Sequence, residues 1–261
     1  METEGRTLKV TDLCKAFDAQ QVLDGVSLSV EPGQIVGLVG ANGVGKTTTM
    51  QIIMGMVEAD SGTVSFGDSP IDASARDAMG FMPEGKGRFA DMKASERLEY
   101  FAGLHEAVAL VFDEPFLGLQ PESVEVMDAL LHVWAARGVP VLFSTSDLDL
   151  AQSVCTHVAV LSKGSIVRSG SVDSIRRDSM SPRVKLSGDE RAVRAGESRA
   201  RELNQSVQEL PDGIIIETGP QNLAARKVLQ AAVGAGVVTE FTPMLPNLSD
   251  IFRRAMAAGA K

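Results

Sequence analysis

The sequence has no apolar run approaching the roughly 18 residues of a membrane-spanning helix, so any link to a membrane is expected to come through docking on a partner. It has only two cysteines, Cys14 and Cys155, far apart and without metal-ligand spacing. They read as reduced thiols of a cytosolic protein. Three histidines, His105, His132 and His157, form no repeated pattern. Basic charge is in deficit: 25 Lys and Arg stand against 34 Asp and Glu, a net charge of -9. Bulk electrostatics therefore gives no attraction to nucleic acid or anionic lipid. The pairs Arg176-Arg177 and Arg253-Arg254 are too short to count as basic patches, so nucleic acid is not an expected partner. Residues 1–5 lack the basic and apolar regions of a secretory leader, and the expected location is cytoplasmic.

With 261 residues and 44% hydrophobic content, the chain is able to build one sizeable core and a small second domain. Leu8-Lys9-Val10, Val22-Leu23 and Val26 to Val30 read as short antiparallel strands leading to a turn at Glu31-Pro32-Gly33. Ile35 to Val39 is a buried strand ending in a glycine loop, and Thr48 to Met56 has helical spacing. Further strands are expected at Ser61 to Gly67, Ala78 to Met82, Ala107 to Phe112, Val139 to Thr145 and Val158 to Leu161. Helices are expected at Ala94 to Leu104 and at Val124 to Arg137, the latter stopped by Gly138. Strands alternating with helices indicate a layered α/β domain. The composition turns polar and charged over Ser179 to Arg201, although Arg183 to Leu186 suits a strand. The tail then offers strand 214–216, helix 222–233, strand 237–241 and helix 248–256, a small α+β domain. The expected division is residues 1–177 and 178–261.

Gly40-Ala41-Asn42-Gly43-Val44-Gly45-Lys46-Thr47 matches the Gly-x-x-x-x-Gly-Lys-Thr phosphate loop in full. Its glycines allow the backbone to turn sharply and aim successive N–H groups at phosphates, and the helix that follows adds its positive dipole end. Lys46 would reach the phosphate oxygens and the Thr47 hydroxyl would bind Mg²⁺. By average composition, a chance match in a chain this long is roughly a one-in-a-hundred event. Leu110 to Phe112 leads into Asp113 and Glu114: the first acid would hold Mg²⁺ through water, the second would polarise the attacking water.

On these residues, and on Leu23 to Leu28, Gly40 to Thr49 and Phe112 to Pro121, residues 7–175 resemble the ATP-binding subunit of ABC transporters. Leu248-Ser249-Asp250-Ile251-Phe252 makes the tail similar to the C-terminal domain of ATPases serving ABC-2-type exporters. The resemblance implies a P-loop NTPase (RecA-like) α/β core with an antiparallel β flank, a reduced helical subdomain and the small C-terminal α+β domain. It implies ATP and Mg²⁺ as cofactors, a transmembrane permease as partner, a second ATP-binding subunit, and a place on the inner face of the cell membrane. It places Phe17 where an aromatic ring stacks on adenine, although a lone Phe in a β-rich segment also suits a core position. Asn42, Gly43, Gly45, Lys46, Thr47 and Thr48 become nucleotide-binding residues, Thr47 and Asp113 the Mg²⁺ residues, and Glu114 the catalytic carboxylate. Glu84 falls at the position of a γ-phosphate-sensing glutamine; a plain solvated turn residue is the equal alternative.

The family pattern breaks in three places. Only 67 residues (113 − 46) separate Lys46 from Asp113, where the family has a much longer interval holding the helical subdomain and a Leu-Ser-Gly-Gly-Gln-type signature. The shortening is expected between residues 104 and 107, leaving an apolar surface around Leu98, Tyr100, Phe101 and Leu104. Leu161-Ser162-Lys163-Gly164 superficially resembles the signature but lies in a strand-turn context and reads as a hairpin turn. Gln120 replaces an aspartate, and Ser146 replaces a histidine that contacts the γ-phosphate. Two readings follow: an ATPase driving an exporter, or a nucleotide-binding chain impaired in hydrolysis, for which a hetero-partner suits better than a normal homodimer. A GTPase would carry an Asn-Lys-x-Asp motif, which is absent.

Overall fold

The computed structural model describes residues 6–84, 106–178, 183–217 and 223–252. The expected helix at 94–104, its apolar residues Leu98, Tyr100, Phe101 and Leu104, and Arg253-Arg254 lie outside the described residues. The chain divides into two compact units, Met1–Val172 and Asp173–Lys261.

The first unit holds two sheets. Strand β1 (Leu8–Phe17) pairs antiparallel with β2 (Gln20–Val30) and with β4 (Ser61–Phe66), and β4 pairs with the two-residue β5 (Ser69–Pro70). The three short pieces expected before residue 31 are thus two long strands. Polar residues at alternate positions hide this: in β2 the buried positions Leu23, Val26, Leu28 and Val30 alternate with exposed ones only after an irregularity near Gly25. The second sheet runs β10 (Ser165–Ser171), β9 (His157–Ser162), β3 (Ile35–Val39), β8 (Val141–Thr145), β7 (Leu110–Phe112) and β6 (Gly80–Met82). All neighbours from β9 to β6 are parallel, which explains their unbroken apolar runs. Only edge strand β10 is antiparallel, joined to β9 through Lys163 (φ 49°) and Gly164 (φ 80°). Two consecutive left-handed residues make a tight hairpin turn there, so the signature-like residues 161–164 are a hairpin, as their context indicated.

Helices α1 (Lys46–Ile53), α2 (Ala73–Asp77), α3 (Pro121–Ala136) and α4 (Leu148–Val154) connect these strands. Helix α1 starts and ends earlier than its apolar spacing suggested. It opens on the phosphate loop and buries Met50, Ile52 and Ile53 in a core shared with Leu8, Leu13 and Leu23 of the antiparallel sheet and Leu38, Val111 and Leu142 of the parallel one. Each such fully buried aliphatic side chain contributes about 1.5–3 kcal/mol. Helix α4 went unread because only Ala151 and Val154 are buried on it; Asp147 caps its start by accepting from the N–H groups of Asp149 and Leu150. Among the described residues no helix is long and apolar enough to cross a membrane.

In the second unit, helix α5 (Val172–Asp178) precedes β11 (Arg183–Gly188), α6 (Glu190–Glu202), β12 (Val207–Leu210), β13 (Gly213–Glu217), α7 (Leu223–Ala235) and β14 (Val238–Met244). The sheet order β12-β13-β11-β14, antiparallel throughout, with two connecting helices, is the ferredoxin-like βαββαβ arrangement. The charged stretch 179–201 therefore conceals a whole helix. Its inner face consists of Ala192, Gly196 and Ala200, residues too small to register as an apolar stripe. A Cβ on Gly196 would stand 2.2 Å from a Leu186 methyl, so close approach of helix and sheet requires glycine there. Leu186, Ile214, Ile216 and Val228 complete this separate core.

Candidate functional site

The parallel sheet places four chain segments side by side. Strands β3, β8, β7 and β6 are consecutive neighbours, so the segments leaving their carboxyl ends converge on one edge. That is where α/β sheets bind ligands. These segments are the phosphate loop after β3, Asp113-Glu114 after β7, residues 146–147 after β8 and Glu84 after β6.

The loop folds back through Gly43 (φ 81°) and Gly45 (φ 108°), conformations glycine adopts without strain. Gly45 caps α1 without a side-chain bond, leaving the N–H groups of the first turn available. A Cβ on Gly45 would meet a Leu23 methyl at 2.5 Å and the Val22 carbonyl oxygen at 3.0 Å, so the loop lies directly against β2. Lys46 is only 6% exposed. Its ammonium donates to the carbonyls of Gly40 (2.8 Å) and Ala41 (3.3 Å) and pairs with Glu114 at 3.3 Å.

Asp113 is buried, its N–H donating to the Met82 carbonyl of β6. Its Oδ1 accepts from the Ser144 hydroxyl at 2.5 Å, and the same hydroxyl accepts the Glu114 N–H at 2.9 Å. Glu114 itself has φ 48°. A non-glycine residue held in this region costs on the order of 1–3 kcal/mol and persists only where surroundings enforce it. The Ser144 hydroxyl, accepting the Glu114 N–H, restrains the residue there, and two residues on, the Phe116 ring packs edge-on against Phe143 at 5.4 Å. Burial pushes the Glu114 carboxyl above the usual glutamate range; the Lys46 ammonium and the Ser146 N–H pull it back, and Asp113 pushes it further up.

A cleft of about 440 Å³ is lined by Phe17, Val22, Asn42, Gly43, Gly45, Lys46, Thr47, Thr48, Glu84 and Glu114. It thus brings together every residue read from the sequence as nucleotide-binding or catalytic; Asp113 is not on its lining but buried and bonded to Ser144. Phe17 is 45% exposed, not a core residue, with the Lys15 ammonium 5.4 Å from its ring centre. Glu84 lines the cleft from two residues beyond the end of β6. Gln120 is the N-cap of α3 without a side-chain cap bond, and Ser146 contributes its backbone N–H to Glu114.

Two residues escaped the sequence reading. Val22 enters because β2 supports the loop. Ser144 had no sequence signal; the fold supplies it, since Phe112 is opposite Phe143 and the next step sets Asp113 beside the Ser144 hydroxyl. The donors present suit a nucleotide and Mg²⁺. Loop N–H groups and an ammonium match phosphate, and a hydroxyl with a carboxylate is the hard oxygen set Mg²⁺ takes alongside phosphates. Among the described residues no three His, Cys, Asp or Glu side chains converge on a metal site, so a cation here would draw ligands from the phosphates.

Comparison with known proteins agrees with this geometry. The ABC transporter family model matches residues 23–170, and the model of the C-terminal domain of DrrA1-3-like ATP-binding proteins matches residues 170–256. The chain is 24% identical to the uncharacterized ABC transporter ATP-binding protein YhaQ of Bacillus subtilis (strain 168), over 96% of this chain and 99% of that one. It is 27% identical to the lipopolysaccharide export system ATP-binding protein LptB of Escherichia coli (strain K12), over 70% of this chain and 98% of that one. A solved ATP-binding subunit of an ABC transporter superposes with a TM-score of 0.55 at 25% identity, covering 66% of this chain and 92% of its own. A P-loop α/β core with an antiparallel flank, a cleft lined by the phosphate loop and a family match over more than half its length together place the chain in the ABC transporter family, as an ATP-binding subunit.

Proposed function

We propose that the cleft binds Mg-ATP and that this subunit works with a transmembrane permease, docked on the inner face of the cell membrane, to drive export. The carrying observation is the buried Lys46 on the lining of the cleft, bonded to loop carbonyls and paired with Glu114. In this reading Phe17 stacks on adenine and the N–H groups of residues 42–48 with Lys46 hold the phosphates. Thr47 and, through water, Asp113 hold Mg²⁺. Glu84 senses the γ-phosphate and Glu114 accepts the proton of the attacking water. Mg²⁺ would neutralise developing charge on the phosphates. The matched C-terminal model supports an accessory domain over residues 178–261, with the ATP-binding domain in 1–177.

A second reading is that hydrolysis is impaired. The LptB alignment spans 236 positions yet uses 70% of a 261-residue chain, about 183 residues, leaving about 50 positions unmatched here. The YhaQ alignment leaves a similar shortfall, 301 positions against 96% of the chain. Together with the 67-residue Lys46–Asp113 interval, this supports loss of the signature-bearing segment between residues 104 and 107. Gln120 and Ser146 add two further lost side chains. Removing one preorganised transition-state contact typically costs 10²–10³ in turnover. A hetero-partner supplying a signature in trans would complete the Lys46 site. Binding of a fluorescent ATP analogue, abolished by Lys46→Ala, tests the first claim; no binding by the parent chain would overturn it. Turnover of Mg-ATP at an ordinary enzymatic rate, lost in Glu114→Gln, would overturn the second reading.

A further inference from the structure

We propose that Ser144 is a positioning residue for the nucleotide site, coupling the Asp113 carboxylate to the backbone of Glu114. This rests on the proposed Mg-ATP reading. Ser144 is fully buried at the end of β8, where a polar group persists only if satisfied. Its hydroxyl uses one donor and one acceptor in opposite directions: Oγ–H to Asp113 Oδ1, and the lone pair to the Glu114 N–H. One Asp113 oxygen is thereby committed to the protein, which restrains rotation of the carboxylate. The same hydroxyl restrains the residue at φ 48° whose side chain pairs with Lys46. One buried group therefore sets both the direction of the Mg²⁺ carboxylate and the backbone turn that aims the catalytic one.

Partners that orient a metal-holding carboxylate typically change metal affinity 10–100-fold when lost. Ser144→Ala is expected to raise the Mg²⁺ concentration needed for half-maximal enhancement of fluorescent-ATP binding by 10–100-fold, a larger change than in ATP affinity measured in EDTA. Ser144→Thr, which retains the hydroxyl, is expected to restore most of it. A purely structural role would instead lower both affinities through loss of folded protein. If Ser144→Ala does not fold, Ser144→Cys, close in volume but a weaker donor and acceptor, is expected to show the same selective Mg²⁺ effect. A Mg²⁺ response like the parent's in a folded Ser144 variant, alongside a weakened one in Asp113→Ala, overturns the Ser144 proposal and spares the Mg-ATP reading. A parent-like response in Asp113→Ala overturns both.

Discussion

Gly40 is the position at which the fold and the phosphate site are most tightly joined. A Cβ added there would stand 2.4 Å from the Leu161 carbonyl oxygen and 2.8 Å from a Val44 methyl. Leu161 belongs to the β9 ladder, paired with Ile166 of β10, and does not give way as a flexible side chain would. Opening 2.4 Å to the 3.4 Å of ordinary contact moves the loop by about 1.0 Å. Forcing an extra methyl into packed structure costs roughly 1–3 kcal/mol. At about 2–4 °C per kcal/mol for a domain of this size, Gly40→Ala should lower the melting temperature by about 2–12 °C. The same shift pulls the Gly40 carbonyl off Lys46, to which it is bonded at 2.8 Å. Hydrogen bonds to charged groups contribute about 1.5–3 kcal/mol, so nucleotide affinity should fall about 10- to 100-fold. Gly25→Ala is the control: φ is 69°, but a Cβ there meets nothing within 4 Å. It should lose about 1–2 kcal/mol of stability through backbone strain with affinity unchanged. Anisotropy titration of a fluorescent ATP analogue, paired with thermal unfolding on the same preparations, reads both quantities. Gly40→Ala with a melting temperature within 1 °C and affinity within twofold of the parent would refute the steric argument.

Three further outcomes follow from the ionisable groups. Because Glu114 is shifted upward on folding, mainly by burial, its ionisation opposes folding; stability is complete below the unfolded-state value and lost as pH rises through the folded one. In nucleotide- and metal-free buffer, Glu114→Gln should therefore melt higher than the parent at neutral pH, the gap closing at acidic pH where the carboxyl is protonated. Equal or lower melting at neutral pH would contradict this. The Cys155 thiol is buried and pushed far up by burial and by Asp128, so native-state alkylation followed by mass spectrometry should label Cys14 first and Cys155 only after unfolding. In the second unit, Asp189 accepts from Ala192 N–H at the start of α6 and from Val237 N–H ahead of β14. Those bonds depress its carboxyl, so Asp189→Ala should lower the stability of that unit at neutral pH. The difference should fade as pH drops through the depressed range, and a pH-independent difference would count against the assignment.

The chain's own order of residues was enough to point to the segments that line the cleft. Gly40 to Thr47, then an apolar run ending in Asp113-Glu114, carry their meaning locally, since a glycine loop between strand and helix is a phosphate-binding arrangement wherever it is folded. The parallel strands were equally legible, because burial on both faces demands continuous apolar runs such as Val141 to Phe143. Helix α6 was not: its contact face of Ala192, Gly196 and Ala200 keeps helical spacing but is built of residues too small to read as an apolar stripe, and only the nearness of Leu186 explains the glycine. Phe17 read either as core or as a stacking surface, and its exposure at the cleft depends on the length of β1, a property of pairing across the sheet. Ser144 shows the same division most clearly. In sequence it is one hydroxyl in an apolar strand; its place between Asp113 and the Glu114 backbone exists only because β7 and β8 are neighbours in register, a non-local pairing that residue types alone do not encode.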